Sequence, residues 1–292
     1  MNDTQKDARP SAVDNLLERA IIDVGIPPCP VILQRFMAEI GKDEPEHNHL
    51  ASIIRADVAI SASLIKTANS SYFGIRQRVR SVNEALAILG MNIASRAVAG
   101  IFLRDSFPHV PNIERFWDAS ARIARLSGWL AQRFALPGLL AEDAYTFGLF
   151  RDCGIPILLR RFPGYWAVLE AANRDVGRSF IEVEETDLPT NHAMVGCILA
   201  QSWWLPEEIC LAIRNHHDLA ALQSASSGLP VLSRRLIATA QLAEHIVQQQ
   251  LGLNLTQEWP KLGAACLSLL DIREAQLETL YAEAAPIASA TE

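Results

Sequence analysis

Apolar residues recur along most of the chain at the three- and four-residue spacing of an amphipathic helix. Sustained alternation of apolar and polar residues, the pattern of a strand, is nearly absent. Residues 81–90 illustrate the helical pattern. Ser81 and Glu84 have the spacing of a capping box, the apolar side chains that follow fall on one face, and Gly90 is suited to ending the helix. The pattern predicts an all-α protein.

Two clusters of helix-breaking residues divide this pattern. Residues 107–112 place two prolines around a short polar stretch, which predicts a boundary between an N-terminal helical subdomain at 12–107 and a second one at 112–250. Residues 223–230 are rich in Ser, Gly and Pro and predict a loop inside the second subdomain. We expect residues 1–11 to be a flexible tail and residues 251–292 to form further helices and a short tail.

Composition narrows the classes of function. Half of the 292 residues are hydrophobic, and the formal net charge is -7. This acidic excess argues against non-specific binding to nucleic acid or to an anionic membrane. The cysteines are widely spaced and form no C-x-x-C pair, which is typical of reduced thiols in a cytoplasmic protein. The polar N-terminus does not look like a signal peptide, and no uninterrupted apolar run approaches the ~20 residues of a membrane helix.

The candidate chemistry lies in an aspartate and several histidines of the second subdomain. Asp152, His192 and His216 lie on separate predicted helices, and such side chains can converge in a bundle core to hold one or two divalent metals. A metal there could activate water for attack on a phosphoester. The neighbours His216 and His217 would point about 100° apart on a helix, so we expect only one of them to face such a site.

Residues 26–218 resemble the HDOD family, a bacterial signalling branch of the HD superfamily of metal-dependent phosphohydrolases. The matching stretches occur in family order, at residues 26–30, 53–59, 68–74, 81–90, 148–154, 203–209 and 216–217. They are similar to L-P-x-L-P, I-I-x-x-D-P-A, A-N-S-A-x-Y-G, S-I-x-x-A-I-x-x-L-G, G-L-L-H-D-I-G, W-x-L-P-x-x-I and H-H. The resemblance implies an N-terminal helical bundle packed on a C-terminal HD-like helical bundle.

The same resemblance implies that the metal site is degenerate. An active HD site has the pattern H…HD…H…H…D. Ala119 stands where relatives carry the first histidine, Arg151 replaces the histidine of the H-D pair, and Gln241 stands at the late aspartate. Asp152, His192 and His216 (or His217) are what remains, and Asp152 with His192 is read as a hydrogen-bonded structural pair.

Arg151 has two interpretations. A guanidinium cannot ligate a metal, so it could form a structural ion pair with Asp152 or another buried acid. Alternatively, Arg151 with His192 and His216 could form an anion pocket for a phosphate or nucleotide, because a guanidinium suits bidentate phosphate binding.

The favoured function is a non-catalytic signalling or regulatory module that acts on protein partners and holds no metal or other cofactor. A small anionic ligand such as a nucleotide or cyclic dinucleotide could gate it. The alternative is a metal-dependent phosphohydrolase acting on a nucleotide or cyclic dinucleotide. A third hypothesis, nucleic-acid binding through the basic loop at residues 76–80, is disfavoured by the acidic charge. We expect a cytoplasmic protein with no membrane segment.

Overall fold

A computed structural model of the chain describes residues 24–69, 78–107, 110, 113–224, 226–252 and 255–289. Within these residues the regular elements are helices and no strand is present, which confirms the all-α prediction. The tail at 1–11, the start of the first subdomain at 12–23 and Arg76 of the basic loop lie outside the described residues. Arg78 and Arg80 are described and are exposed.

The first half of the described chain is a bundle of short helices around one long helix. Its helices are α1 (Val31–Ile40), α2 (His47–Arg55), α3 (Val58–Ala68) and α4 (Val82–Asp105). Ser81 caps α4 by accepting the Glu84 N–H at 3.1 Å, as predicted. At Gly90 the backbone leaves the helical region, with φ 74° and ψ 167°, and the helix then resumes at once. The predicted stop is therefore a kink within α4.

Among the described helices, α4 is long and apolar enough to cross a membrane by length and composition alone. Core helices of soluble proteins pass the same test. In this fold α4 packs against α1, α2 and α3 on the N-terminal side.

The second half forms a larger bundle that continues to the end of the described chain. Its helices are α5 (Ile113–Phe134), α6 (Ala141–Phe150), α7 (Gly154–Arg161), α8 (Tyr165–Arg174), α9 (Phe180–Asp187), α10 (His192–Ser202), α11 (Glu207–Asn215), α12 (Leu219–Gln223), α13 (Val231–Leu251), α14 (Glu258–Leu269) and α15 (Leu277–Ser289), with a short 3₁₀ helix at Glu274–Gln276. Helix α13 packs against α5, α6, α11 and α14, so it lies at the centre of this bundle.

The two bundles share one hydrophobic core, which extends from Ile26 to Ala288. Helix α4 contacts α6 across the boundary, where Arg96 of α4 forms a partly buried ion pair with Asp143 of α6. The Trp203 indole N–H, at the end of α10, donates to the Pro27 carbonyl at 3.3 Å. The N-terminal bundle is thus packed on the HD-like bundle, as the resemblance implied.

Helices α14 and α15 close one side of the second bundle. Helix α15 packs on α5 and α13, and the Arg122 guanidinium of α5 donates to the Ala288 carbonyl at 2.5 Å. The helices within residues 255–289 therefore pack on this bundle and do not extend away from it.

Candidate functional site

The turn between α6 and α7 carries Arg151 and Asp152. This turn lies directly against the start of α10, because a Cβ added at Gly154 would be 2.0 Å from the His192 carbonyl oxygen. Only glycine leaves room for such an approach of two backbones. The local sequence therefore places Asp152 beside His192.

His192 is the first residue of α10 and is fully buried. Its Nδ1 lies 2.7 Å from a carboxylate oxygen of Glu184 in α9, which also accepts the His192 backbone N–H at 3.2 Å. The other Glu184 oxygen accepts the hydroxyl of Tyr165. Since a carboxylate can only accept, Nδ1 of His192 carries the proton. The expected hydrogen bond from His192 to Asp152 is absent, because the two side chains are 3.6 Å apart.

His216 and His217 both face the same site, which corrects the expectation that only one of them would. Helix α11 ends at Asn215, so the 100° separation of helical neighbours does not apply to the two residues that follow. His216 Nδ1 lies 2.7 Å from the Ile213 carbonyl oxygen, and His217 Nδ1 lies 2.6 Å from a carboxylate oxygen of Glu258 in α14. In each pair the imidazole N–H is the donor.

The three imidazoles turn their Nε2 atoms toward one another and toward Asp152. His192 Nε2 is 3.3 Å from His216 Nε2 and 3.1 Å from His217 Nε2. His216 Nε2 is 3.2 Å from Asp152 Oδ1. All four ligand atoms lie within 4.8 Å of one another. We call these four residues the histidine cluster.

The histidine cluster is composed of acceptors. With a proton on each Nδ1, each neutral imidazole presents a lone pair at Nε2, and Asp152 adds a carboxylate oxygen. Such an arrangement is repulsive unless a cation or an extra proton lies within it. A tetrahedral metal with bonds of about 2.0–2.1 Å separates its ligand atoms by about 3.3 Å, close to the distances found. The residues present therefore fit one divalent metal, with Glu184, Ile213 and Glu258 orienting its ligands.

Arg151, which stands where the resemblance implies a metal-ligating histidine, forms a buried ion pair. Arg151 is 5% exposed, its Nη2 lies 2.6 Å from Glu244 Oε1 and its Nε lies 3.0 Å from Asp152 Oδ2. Gln241 donates to the other Glu244 oxygen at 3.0 Å. Ala119 is buried on α5 and offers no ligand atom. These three positions do not fit a metal.

The same ion pair bears on the two interpretations of Arg151. Its guanidinium faces two carboxylates, and further carboxylates contact His192 and His217. An anion placed among these acids would be repelled, so the geometry favours the structural ion pair over the anion pocket of Arg151, His192 and His216.

Burial and charge act against each other at the site. Burial disfavours the charged form of Asp152, but Arg151 and His216 outweigh it and hold its pKa well below the usual range. Burial also disfavours protonated His192, yet Glu184 raises the pKa of that imidazole. Burial and the neighbouring His216 lower the pKa of His217 to about 4. Without a metal, His192 is therefore better suited than His217 to hold an additional proton.

A cavity of about 860 Å³ opens onto the histidine cluster. Asp152, His192, His217, Arg151, Glu244 and Glu258 lie on its polar side. Arg115 also lines the cavity. Its other walls are mainly apolar and aromatic and include Phe116, Ile155, Leu159, Trp166, Leu169, Phe180 and Leu255. This volume is large enough for a small-molecule ligand.

The structure brings Asp152, His192 and His216 together, and Gln241 reaches the site through Glu244. Sequence reasoning had named all four as site positions. It missed Glu184, Glu244 and Glu258. Each of these acids lies on a helix that approaches the site only in the folded chain, so spacing along the sequence carries no signal for them.

Known proteins resemble this chain in sequence and in fold. The model of the HDOD domain family matches residues 26–219. An uncharacterised protein of Treponema pallidum (strain Nichols) is 27% identical over 200 residues, which are 66% of this chain and 38% of that protein. This chain thus aligns with well under half the length of that relative.

Three crystal structures share the fold at 20% identity. A candidate phosphohydrolase of Shewanella amazonensis SB2B has a TM-score of 0.68, with 93% of this chain and 95% of that chain covered. An HDOD domain protein of unknown function from Geobacter sulfurreducens has a TM-score of 0.66, with coverages of 94% and 95%. A candidate signal transduction protein of Marinobacter aquaeolei VT8 has a TM-score of 0.60, with coverages of 95% and 65%. By its family match and its fold, this chain belongs to the HDOD domain family.

Proposed function

We propose that this protein is a non-catalytic regulatory module of the HD superfamily. The observation that carries the proposal is the buried ion pair of Arg151 with Asp152 and Glu244. Asp152 has one oxygen facing Arg151 and the other facing the histidine cluster. It therefore has no free oxygen with which to bridge two metals, as a two-metal hydrolase requires.

The part of the centre that remains suits one divalent cation. His192, His216, His217 and Asp152 would hold it, and a bound metal would supply Lewis acidity at this end of the cavity. We propose that binding of the cation, alone or with a small molecule in the cavity, changes the population of a regulatory state. This departs from the sequence-based expectation of a site without metal.

A module without turnover needs another output, and we propose that this output is a contact with a signalling protein. Trp204 supports the proposal, because its side chain is 52% exposed and its backbone has a φ of 57°. Tryptophan is among the residue types enriched at the centres of protein–protein contacts. Trp203, its neighbour, is buried in the core.

A metal-dependent phosphohydrolase is the second candidate, and the open cavity beside the histidine cluster favours it. A single-metal enzyme would bind its substrate between Phe116, Trp166 and Phe180, with Arg115 available to the phosphate. The carboxylates of Glu244 and Glu258 in the same cavity oppose a phosphoester there.

Thermal unfolding with divalent metals, nucleotides and cyclic dinucleotides separates the candidates. We expect stabilisation by Zn²⁺, Mn²⁺ or Fe²⁺, of about 2.7 kcal/mol at a hundredfold excess over Kd. The Asp152→Asn variant should lose most of it. We expect no hydrolysis of bis(p-nitrophenyl) phosphate, nucleotides or cyclic dinucleotides above that variant's background. Metal-dependent turnover that disappears in Asp152→Asn would establish the enzyme instead.

A further inference from the structure

The chain continues beyond the family match at residue 219, and the later residues return to the site. Two hydrogen bonds fix the start of α14 beside α8 and α9. The Gln257 N–H donates to the Asn173 carbonyl at 3.1 Å, and the Lys261 ammonium donates to the Arg178 carbonyl at 2.7 Å. Glu258 lies between these two anchors, so the position of its side chain is set by α14.

Glu258 is 2% exposed and has a separate partner for each oxygen. Oε2 accepts from His217 Nδ1 at 2.6 Å, and Oε1 accepts from the Lys261 ammonium at 2.9 Å. The ion pair with the Lys261 ammonium favours the ionised carboxylate, whose oxygens can only accept. At neutral pH, Glu258 therefore offers His217 an acceptor and no donor.

His217 needs such a partner because no helix fixes its ring. It follows the end of α11, and Phe180 stacks on it with centroids 4.9 Å apart and planes at 20°. Stacking restricts the ring plane but leaves open which nitrogen carries the proton. The hydrogen bond made by one ring nitrogen decides the state of the other.

We propose that Glu258 is a positioning residue for the histidine cluster: it holds His217 as the Nδ1–H tautomer, and so makes Nε2 of His217 a ligand atom. It plays for His217 the part that Glu184 plays for His192, at 2.6 Å against 2.7 Å. Completion of the site would then depend on a helix outside the family match. The effect on metal binding rests on the proposed function, whereas the tautomer itself does not.

Glu258→Gln tests this directly, because it is nearly isosteric. The Lys261 ammonium can only donate, so the new side-chain amide at position 258 would turn its oxygen toward Lys261. Its NH₂ group would then face His217 Nδ1 and donate to it. We expect His217 to change to the Nε2–H tautomer. In Glu258→Gln combined with Lys261→Met, the amide is free to turn its oxygen to His217, and the Nδ1–H tautomer should return. Lys261→Met alone should keep that tautomer.

The measurement is long-range ¹H–¹⁵N correlation of histidine-labelled, metal-free protein at neutral pH, with the His217 signal identified by its loss in His217→Gln. A wild-type His217 that is Nε2–H would overturn the inference without any further variant. So would an unchanged Nδ1–H tautomer in folded Glu258→Gln. The surface variant Glu278→Gln controls for loss of one acidic charge and should leave every histidine signal in place.

Zn²⁺ titration of the same proteins measures the consequence. Removing the orienting group of a metal ligand weakens affinity about 10- to 100-fold, and we expect that loss in Glu258→Gln with recovery in the double variant. If the tautomers are as predicted but the wild type does not bind Zn²⁺, the proposed cation site is refuted and the role of Glu258 is supported. Equal Zn²⁺ affinity in wild type and Glu258→Gln, with the tautomer unchanged, would refute the role of Glu258.

Discussion

Arg151 is buried and holds its guanidinium between two carboxylates at the wall of the cavity. The sequence indicated that Arg151 cannot ligate a metal and left two interpretations open, an ion pair with Asp152 or another buried acid and an anion pocket. The structure contains ion-pair contacts with Asp152 and with Glu244. The sequence could not identify Glu244 as the partner. Several faces of α13 are buried, so only the packing of the folded chain determines which of its side chains lies beside Arg151. The sequence therefore indicated the chemistry of Arg151 but not the identity of its partner Glu244.

Replacing Arg151 by Met should destabilise the protein strongly. The substitution leaves Asp152 and Glu244 buried without their cation, and loss of one partner of a buried pair costs about 3–5 kcal/mol. Arg151→Met combined with Glu244→Met should recover about 1–3 kcal/mol of that loss. Urea unfolding of the single and double variants measures both values. Additive effects of the two substitutions would show that the pair is not coupled.

Arg151→His should not create a phosphodiesterase. Ala119 and Gln241 would still offer no ligand for a second metal, and Glu244 would lose its cation. Hydrolysis of bis(p-nitrophenyl) phosphate with Mn²⁺ should remain at the level of Asp152→Asn. Activity above that level would mean that the missing ligands have been assigned to the wrong positions.

Gly154→Ala should disturb the site without touching any of its side chains. The new methyl group would lie 2.0 Å from the His192 carbonyl oxygen, so α7 and α10 must separate. Forced overpacking of this kind costs about 1–3 kcal/mol. Gly164→Ala is the control, since a Cβ there meets nothing within 4 Å. Chemical denaturation of both variants is the measurement, and equal stabilities would contradict the close approach.

At the scale of elements, the site is assembled from helix ends. His192 begins α10, Glu258 begins α14, the cluster's other two imidazoles follow the end of α11, and Asp152 lies in a turn. Periodicity predicted the helices well because their apolar faces share one core. It could not predict the cluster, because a helix ending one residue earlier or later changes which side chains point inward. That is why the argument from helical spacing was wrong for His217.

The contact between α13 and α14 should make stability depend on pH through His245. This imidazole stacks on Trp259 with centroids 4.2 Å apart, and its Nε2 lies 2.9 Å from the Tyr281 hydroxyl oxygen. Burial lowers its pKa to about 4. As the pH falls below 6.5, His245 takes up a proton in the unfolded chain but stays neutral in the folded protein. Stability contributed by neutral His245 is therefore present above pH 6.5 and is lost on the way down to about pH 4.

Comparison of wild type with His245→Gln isolates this term from the other histidines. Between pH 7.5 and 5, the wild type should lose on the order of 1 kcal/mol more than the variant, after allowance for partial solvent screening. Thermal or urea unfolding at the two pH values gives the difference. Parallel pH profiles for the two proteins would show that His245 is not held neutral.

At the scale of the whole molecule, the family match is smaller than the folding unit. Residues 26–219 omit α13, although α13 packs against α5, α6 and α11 and supplies Glu244. The family resemblance gave the all-helical fold class correctly. It gave no role to residues 251–292, because no family motif covers them and their helices contribute through tertiary contact alone.

A chain ending at residue 219 should fail to fold. It would expose the apolar surface that α13, α14 and α15 cover. It would also lose the side chains of α13 that are buried against that surface, such as Leu236, Ile237 and Ile246. Each such side chain contributes about 1.5–3 kcal/mol. Leu242, Val247, Leu262, Leu277 and Leu280 of the deleted helices are buried as well, so the summed loss is comparable with the whole stability of an ordinary domain. A chain ending at residue 289 is the control. Far-ultraviolet circular dichroism and solubility compare them, and a soluble, cooperatively unfolding 1–219 chain would contradict this view.

The ion pair of Arg151 also restricts how this sequence can evolve. A return of histidine at position 151 removes the cation on which Glu244 depends, and it gains no metal while Ala119 and Gln241 stay as they are. The single change Arg151→His should therefore lower stability without conferring activity. Lineages carrying this arrangement should diversify through the cavity walls and the C-terminal helices, while residues 151 and 244 change only together.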